Sequence, residues 1–253
     1  MGTPNRWRAS TPAWISAVST DPNRTAREAS RRGALLPDRS VPRTRWRGRA
    51  VTTCAWLIGL APLLLLSVDV ATGSLSADPV EELTHRTGWW ALFLLLLTLA
   101  VTPLRKVTGV NELIRARRPL GLFAFLLASF HLLIYFVLDQ GLTVSFLVED
   151  ILERPFITLG FLAWLLLVPL AVTSTTGWIR RLGRNWRRLH RLVYLSAALG
   201  VVHFAWGVKA DLREPMIFAG VLAILLLLRV IFARSRRRRP QAARAPSDSS
   251  GTD

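Results

Sequence analysis

Cysteine is almost absent from this sequence, because Cys54 is the only one in 253 residues. A single thiol excludes an intrachain disulfide, a Cys-ligated zinc site and a CxxC redox pair. Any metal chemistry of this chain must therefore use histidine or carboxylate. The sequence offers four histidines for that purpose: His85, His131, His190 and His203.

Acidic residues are also scarce, with 16 Asp and Glu against 33 Lys and Arg, so the formal net charge is +17. Such a charge can indicate nucleic-acid binding, but no nucleic-acid-binding module is recognisable here. The basic residues instead lie beside long apolar blocks, and 51% of all residues are hydrophobic. This pattern is typical of membrane proteins, so we expect contact with membrane lipid and no nucleic-acid partner.

Six apolar segments have about the 20 residues needed to cross the hydrocarbon of a bilayer. Each must be helical, because an isolated span has no other way to satisfy its backbone hydrogen bonds in lipid. The expected spans are 51–70, 87–104, 119–138, 155–173, 189–208 and 215–233. The sequence therefore predicts an all-α, polytopic membrane protein whose six-helix transmembrane bundle occupies residues 51–233.

Two polar segments flank the predicted bundle, an Arg-rich arm at 1–50 and a tail at 234–253. Both are expected to be disordered and cytoplasmic. With the N-terminus inside, the inner segments carry 28 Lys and Arg and the outer loops carry 4. This asymmetry predicts an N-in/C-in topology. The arm and first apolar segment also resemble a signal peptide, but five further spans favour an uncleaved helix.

Ionisable groups inside a membrane are costly, so His131 and His203 are candidates for function. His131 follows Arg118 by 13 residues and His203 follows Arg188 by 15, in two spans of the same direction. At about 1.5 Å per residue, both lie about 20 Å from the inner charged edge. Two opposed imidazoles at one depth can hold a haem iron between them. The alternative is that each histidine hydrogen-bonds to a neighbouring helix.

The other two histidines lie near the predicted membrane surfaces. His190 opens the fifth span among arginines and is either a solvated interfacial residue or a ligand to a second haem. An ideal helix turns it about 140° away from His203, so a bend or unwinding near Gly200 would be needed to bring both to one face. His85 precedes the second span and is either an ordinary loop or cap residue or a contact for quinone or a periplasmic partner.

Five stretches resemble a known family: ADPVEELTHRTGWWAL, LAVTPLRK, RARRPLGLFAFLLASFHLLIYF, LAVTSTTGWIRRLGRNWRRLHRLVYL and VVHFAWGVK. They are similar to the haem-binding membrane subunit of the bacterial protein-methionine-sulfoxide reductase system, the MsrQ (YedZ) family. That family belongs to the ferric-reductase-like transmembrane group. The resemblance covers about residues 75–233, which is nearly the whole predicted membrane core.

The resemblance implies that His131, His190 and His203 match the haem histidines of that family. It implies one or two b-type haems and leaves flavin mononucleotide as a further candidate cofactor. The donor would be the quinone pool or a cytoplasmic flavin reductase. The acceptor would be a periplasmic molybdopterin-containing methionine-sulfoxide reductase that repairs oxidised periplasmic proteins. The chain would thus be an electron-transfer subunit of the inner membrane rather than the catalytic reductase.

Full ferric reductases and NADPH oxidases differ from this sequence in two respects. They carry two histidines in the third helix and a fused flavin–nicotinamide domain, whereas this sequence has one histidine there and no Gly-rich nucleotide fingerprint. Haem number stays open, and electrons are expected to come from another molecule. A stand-alone ferric reductase and a non-redox transporter are the alternatives. The transporter is expected to show broken helices or internal repeats, and neither stands out.

Overall fold

A computed structural model of the protein describes residues 26–27, 41–139, 141, 144–208 and 211–237. Within these residues every regular element is helical. Six helices are long and apolar enough to cross a membrane, and each coincides with one of the six predicted spans. The prediction of an all-α polytopic membrane protein with six spans is therefore confirmed.

The helices follow one another with short connections, and we number them in chain order. The six spanning helices are α1 Val41–Thr72, α2 Pro79–Thr108, α3 Arg117–Ile134, α5 Pro155–Val172, α8 Leu192–Gly207 and α9 Arg213–Arg237. A 3-10 helix, Asn111–Ala116, precedes α3, and a π-helical turn, Tyr135–Asp139, extends it. Three short helices complete the set: α4 Val144–Glu153, α6 Thr176–Leu182 and α7 Arg184–Leu189.

Helix α2 is the central element of the bundle. In its most apolar stretch 56% of the residues are buried, against 11% in α9. Leu94 of α2, Leu127 of α3 and Ala197 of α8 are fully buried, whereas apolar residues of the outer helices, such as Leu57 and Ile224, remain largely exposed. Outward-facing apolar side chains are what lipid requires, so the buried faces of the helices define the interior of the bundle.

Helix α2 begins eight residues before the predicted position because its first turn is well capped. The Asp78 side chain accepts a hydrogen bond from the Glu81 backbone N–H at 3.0 Å, and Pro79 occupies the first turn. Both features favour a helix start. The far end stops at Gly109, whose φ of 72° suits glycine. His85 consequently lies inside a helix rather than in the loop expected from the sequence.

The two ends of the bundle differ in charge. We call the end formed by 105–118 and 180–191 the basic end, since it carries eleven of the Lys and Arg residues. The acidic end is formed by 76–82, 149–154 and 211–214, where most of the loop carboxylates lie. Helix α1 starts at Val41, so its first ten residues fall within the predicted disordered arm. Residues 1–25 and 28–40 of that arm, and 238–253 of the tail, lie outside the described residues.

Candidate functional site

A cavity of about 970 Å³ opens between four helices, α2, α3, α5 and α8. Its volume lies at the upper end of the range of about 300–1,000 Å³ that is usual for ligand pockets. The wall is mainly apolar, and both His131 and His203 line it. The cavity extends from these histidines toward the acidic end, where it is bordered by Asp78, Glu81, Glu82, Asp139 and Arg154.

His131 projects from α3 onto α2, which fixes its ring. Its Nδ1–H donates a hydrogen bond to the carbonyl oxygen of Thr84 at 2.8 Å. A carbonyl can only accept, so this bond keeps the proton on Nδ1 and leaves the lone pair on Nε2. The ring lies against Gly88, where a Cβ atom would come within 3.0 Å of it. Glycine at this position therefore allows the imidazole to lie flat on α2.

His203 projects from α8 onto α5 in the same way. Its Nδ1–H donates to the carbonyl oxygen of Phe156 at 2.7 Å. A Cβ atom at Gly160 would come within 2.7 Å of the ring, closer than the corresponding atom at Gly88. The Phe156 ring stacks on the imidazole with 6.2 Å between ring centres. Both imidazoles are thus held as the same tautomer with Nε2 unprotonated.

The two histidine supports are copies of one another, separated by 72 positions in the sequence. Both hydrogen bonds join residues 47 positions apart, and both glycines lie four residues after the accepting carbonyl. The repeat extends along the cavity wall, where residues of α2 correspond to residues of α5 and residues of α3 correspond to residues of α8. The corresponding pairs that line the cavity are Gly88 and Gly160, Ala91 and Ala163, Leu95 and Leu167, Ala124 and Ser196, Ala128 and Gly200, and His131 and His203. The helix pair α2–α3 therefore repeats as α5–α8.

This repeat did not stand out from the sequence alone. Its signal was present as a glycine followed 43 residues later by a histidine, at Gly88 and again at Gly160. The surrounding residues differ enough to conceal it, because Thr84 corresponds to Phe156 and Leu92 to Trp164. Both helix pairs start at the acidic end and return to it. The two helix pairs therefore form a parallel repeat. Parallel repeats also occur in some transporters, so the repeat by itself does not distinguish a redox protein from a transporter.

The spacing of the two imidazoles fits a pair of axial ligands. Their ring centres are 6.1 Å apart and their planes are inclined by 79°. With metal–nitrogen bonds of about 2 Å and about 1.1 Å from each nitrogen to its ring centre, two axial imidazoles lie about 6.2 Å apart. Within the described residues no three His, Cys, Asp or Glu side chains gather to hold a bare metal ion. A porphyrin, which brings four nitrogens itself, needs only two.

Hydrogen bonds between helices hold the cavity wall in place. Trp164 of α5 donates through its indole N–H to the Ser129 hydroxyl of α3 at 3.0 Å. The buried Ser196 hydroxyl of α8 donates to the Ala163 carbonyl of α5 at 2.8 Å. Each bond satisfies a polar group inside the membrane region and ties α5 to one histidine-bearing helix.

The structure does not bring His190 into the cavity. His190 ends the short helix α7, where its ring stacks on Trp186 with 4.0 Å between ring centres. The chain turns at 190–191, and α8 begins at Leu192. The break between α7 and α8 therefore lies at His190 itself and not near Gly200. The angle of about 140° between His190 and His203 assumed one continuous helix, so it does not apply here.

His85 does reach the cavity, at its acidic end. It is an exposed residue of α2 one turn before Gly88, and its ring lies 5.9 Å from that of Phe204. The structure thus joins three of the four histidines in one cavity: the paired His131 and His203 between the helices, and His85 toward the acidic end. The capping sequence at Asp78 and Pro79 is the signal that could have put His85 on this helix.

Fold and site together define a class of membrane protein, in which a duplicated helix pair presents two facing histidines inside a six-helix bundle. The family model described as "Ferric reductase like transmembrane component" matches residues 87–201. This range runs from α2 into α8 and includes His131 and His190.

Three bacterial relatives extend the likeness, and each is named "Protein-methionine-sulfoxide reductase heme-binding subunit MsrQ". One from Xanthomonas campestris pv. campestris (strain 8004) is 52% identical over 203 residues, which are 78% of this chain and 93% of the relative. One from Xanthomonas axonopodis pv. citri is 53% identical over 187 residues, 72% and 86% of the two chains. One from Ralstonia nicotianae is 49% identical over 200 residues, 78% and 89%. The chain therefore belongs to the MsrQ family.

Proposed function

We propose that this chain is a haem b electron-transfer subunit of a protein-methionine-sulfoxide reductase. The observation that carries the proposal is the pair of imidazoles, 6.1 Å apart across the cavity, with both Nδ1–H groups bonded to backbone carbonyls. The relatives named as haem-binding subunits support haem as the cofactor. In this proposal His131 and His203 are the axial ligands.

The residues around the cavity prepare the two imidazoles for this role. The Thr84 and Phe156 carbonyls fix the tautomer and orientation of each ring and raise the basicity of Nε2. A haem held by these two histidines would supply one-electron chemistry, and a pair of histidine ligands would favour electron transfer over oxygen activation. The mainly apolar wall lowers the local dielectric around the two rings.

The proposed topology gives electron transfer a direction across the membrane. Because the basic end carries eleven Lys and Arg residues and the acidic end only two, we propose that the basic end is cytoplasmic and that both termini lie on the cytoplasmic side of the inner membrane. The donor is then a membrane quinol or a cytoplasmic flavin reductase, and basic loops attract an anionic flavin. The acceptor is a periplasmic molybdopterin-containing reductase that reduces methionine sulfoxide in oxidised periplasmic proteins. This chain delivers electrons and is not itself the reductase.

His190 and His85 keep their predicted secondary roles in this proposal. His190, at the basic end, is proposed as a ligand to a second haem, so the haem count is one or two. Flavin mononucleotide remains a candidate cofactor at that end. His85 is proposed to contact a quinone or the periplasmic partner, since it borders the part of the cavity nearest the acidic end.

The first test is a reduced-minus-oxidised absorption spectrum of the purified protein and its histidine variants. The wild type is expected to give a low-spin b-type signal, and His131→Ala and His203→Ala are expected to lose most of it. His190→Ala is expected to lose only part of the haem. His85→Ala serves as the matched control and is expected to retain full haem content, since His85 is not one of the two paired imidazoles and lies toward the acidic end of the cavity. Unchanged haem in either His131→Ala or His203→Ala would refute the pairing.

A stand-alone ferric reductase is the second candidate, favoured by the match to the ferric-reductase-like family. It requires the same paired histidines and differs only in the acceptor. Dithionite-reduced protein in vesicles separates the two functions. Oxidation by a purified periplasmic sulfoxide reductase, with no oxidation by a ferric chelate, supports the subunit role, whereas the reverse result supports the ferric reductase.

A further inference from the structure

The two copies of the repeated helix pair differ at one depth of the cavity, about one turn from the paired histidines toward the acidic end. On α2 and the extension of α3 this depth carries His85 and Tyr135, and both line the cavity. The equivalent positions of the second copy, 72 residues later in the sequence, hold Ile157 and Gly207, which line it too. One wall therefore offers an imidazole and a phenol hydroxyl, whereas the other offers an aliphatic side chain and no side chain at all.

Tyr135 is held in place by a carboxylate. It is the first residue of the π-helical turn, four residues and about 6 Å beyond His131 along the helix axis. Its hydroxyl donates a hydrogen bond to Asp150 Oδ2 at 2.5 Å, and Asp150 Oδ1 pairs with Arg154 Nε at 3.3 Å. Because a phenol hydroxyl can donate and accept at the same time, Tyr135 can accept a hydrogen bond from a ligand while it donates to Asp150. Single π-helical turns are frequent at functional sites.

The charges at this end of the cavity restrict what can bind there. Four carboxylates line it, those of Asp78, Glu81, Glu82 and Asp139. The guanidinium of Arg154 lies on the same lining, and Arg86 pairs with Glu82 at 3.1 Å. Since the carboxylates outnumber the guanidinium groups, a phosphate or carboxylate ligand would be repelled. A bare metal ion is not favoured either, because the described part of the chain gathers no three His, Cys, Asp or Glu side chains around one point.

A neutral molecule that donates hydrogen bonds meets neither of these difficulties. Ligand pockets usually combine an apolar wall with a few polar groups that fix the orientation of the ligand. Here the apolar wall is supplied by both helix pairs, and the polar groups are supplied by His85 and Tyr135 alone at their depth. An imidazole and a phenol can each accept a hydrogen bond from a hydroxyl group.

We infer that His85 and Tyr135 bind the ring hydroxyls of a membrane quinol, between the paired histidines and the acidic end. A quinol is neutral and planar, donates through two hydroxyl groups and otherwise presents an apolar surface. Ile157 and Gly207 leave the opposite wall apolar and open for its ring. The inference rests on the proposed function, whose donor is a quinol or a flavin reductase. It selects the quinol and adds Tyr135 to the residues that recognise it.

The first measurement is the binding of menadiol to full-length protein, followed by quenching of tryptophan fluorescence. Trp89 and Trp164 line the same cavity, so this readout does not require haem. Tyr135→Phe and His85→Ala are each expected to raise the dissociation constant about three- to tenfold, as the loss of one hydrogen bond predicts. Tyr194→Phe is the matched control, because Tyr194 is the only other tyrosine and does not line the cavity. It should bind menadiol like the wild type.

The second measurement compares haem reduction by menadiol with haem reduction by dithionite, which needs no binding site. Tyr135→Phe and His85→Ala should need more menadiol for half-maximal reduction, while their haem content and their reduction by dithionite stay at the wild-type level. Unchanged menadiol binding in either variant would overturn the inference, as would a wild type that dithionite reduces and menadiol does not. A protein that binds menadiol as expected but holds no haem would contradict the proposed function and leave the quinol site standing.

Discussion

Two glycines determine how the paired histidines are held. Gly88 and Gly160 each lie directly beneath an imidazole, and a Cβ atom at either would press on the ring. The crowding is unequal, since an added Cβ would lie 2.7–3.0 Å from three ring atoms of His203 but at 3.0, 3.0 and 3.7 Å from three atoms of His131. Each ring also depends on one hydrogen bond to a carbonyl one turn before its glycine.

Gly160→Ala is therefore expected to disturb the site more than Gly88→Ala. The added methyl group pushes the His203 ring off α5 and breaks its bond to Phe156, so low-spin haem signal should fall strongly. Gly88→Ala should lose less of the signal, since His131 needs to move only a few tenths of an ångström. Haem content and the electron paramagnetic resonance spectrum of the oxidised protein measure both effects.

Gly220→Ala is the matched control for this pair, because it lies in α9 with no atom within 4 Å of an added Cβ. It should keep the wild-type signal. Equal loss in all three variants would mean that alanine acts through general destabilisation and not through the histidine rings.

At the scale of single elements, the position of His85 and of the Thr84 carbonyl depends on where α2 begins. The start at Pro79 places both in the second turn of a helix that Asp78 caps. Hydropathy alone predicted a start at 87, because the first two turns contain Glu81, Glu82 and Arg86 and resemble a loop. The capping residues Asp78 and Pro79 were visible in the sequence, whereas the ion pair between Arg86 and Asp69 of α1, at 2.7 Å, was not.

Asp78→Ala is expected to lower the free energy of unfolding by about 1 kcal/mol, since it removes the side-chain acceptor for the Glu81 N–H. This corresponds to a melting temperature lower by about 2–4 °C in a chain of this size. Asp78→Asn keeps an acceptor and should melt within about 1 °C of the wild type. Thermal unfolding in one detergent measures all three proteins, and an equally low value for Asp78→Asn would contradict the capping role.

At the scale of the whole molecule, the bundle combines a duplicated helix pair with two outer helices. The pairs α2–α3 and α5–α8 enclose the cavity, and α1 and α9 carry many of the exposed apolar residues. The duplication places two equivalent histidines on opposite walls at the same depth. The segregation of basic and acidic residues to opposite ends gives this arrangement a direction across the membrane.

The proposed topology predicts a specific pattern of cysteine labelling. Cys54 is the only native cysteine, so a Cys54→Ser background is free of thiols. In that background Ala77→Cys, at the acidic end, should react with a membrane-impermeant maleimide added to spheroplasts. Gly177→Cys, in α6 next to the basic end, should react only after permeabilisation. Both positions are exposed, so the reverse pattern would refute the N-in/C-in proposal and the direction of transfer with it.

The sequence by itself determined the number of spans, their helical state and the common depth of His131 and His203. These properties depend on length, polarity and the fixed rise of a helix, which are linear along the chain. Only the tertiary structure decided which faces of the helices meet. It put both imidazoles 6.1 Å apart over two glycines, brought His85 to the same cavity and left His190 outside it. The rotation of a helix and its closest neighbours arise from packing between segments distant in sequence, and hydropathy contains no record of that packing.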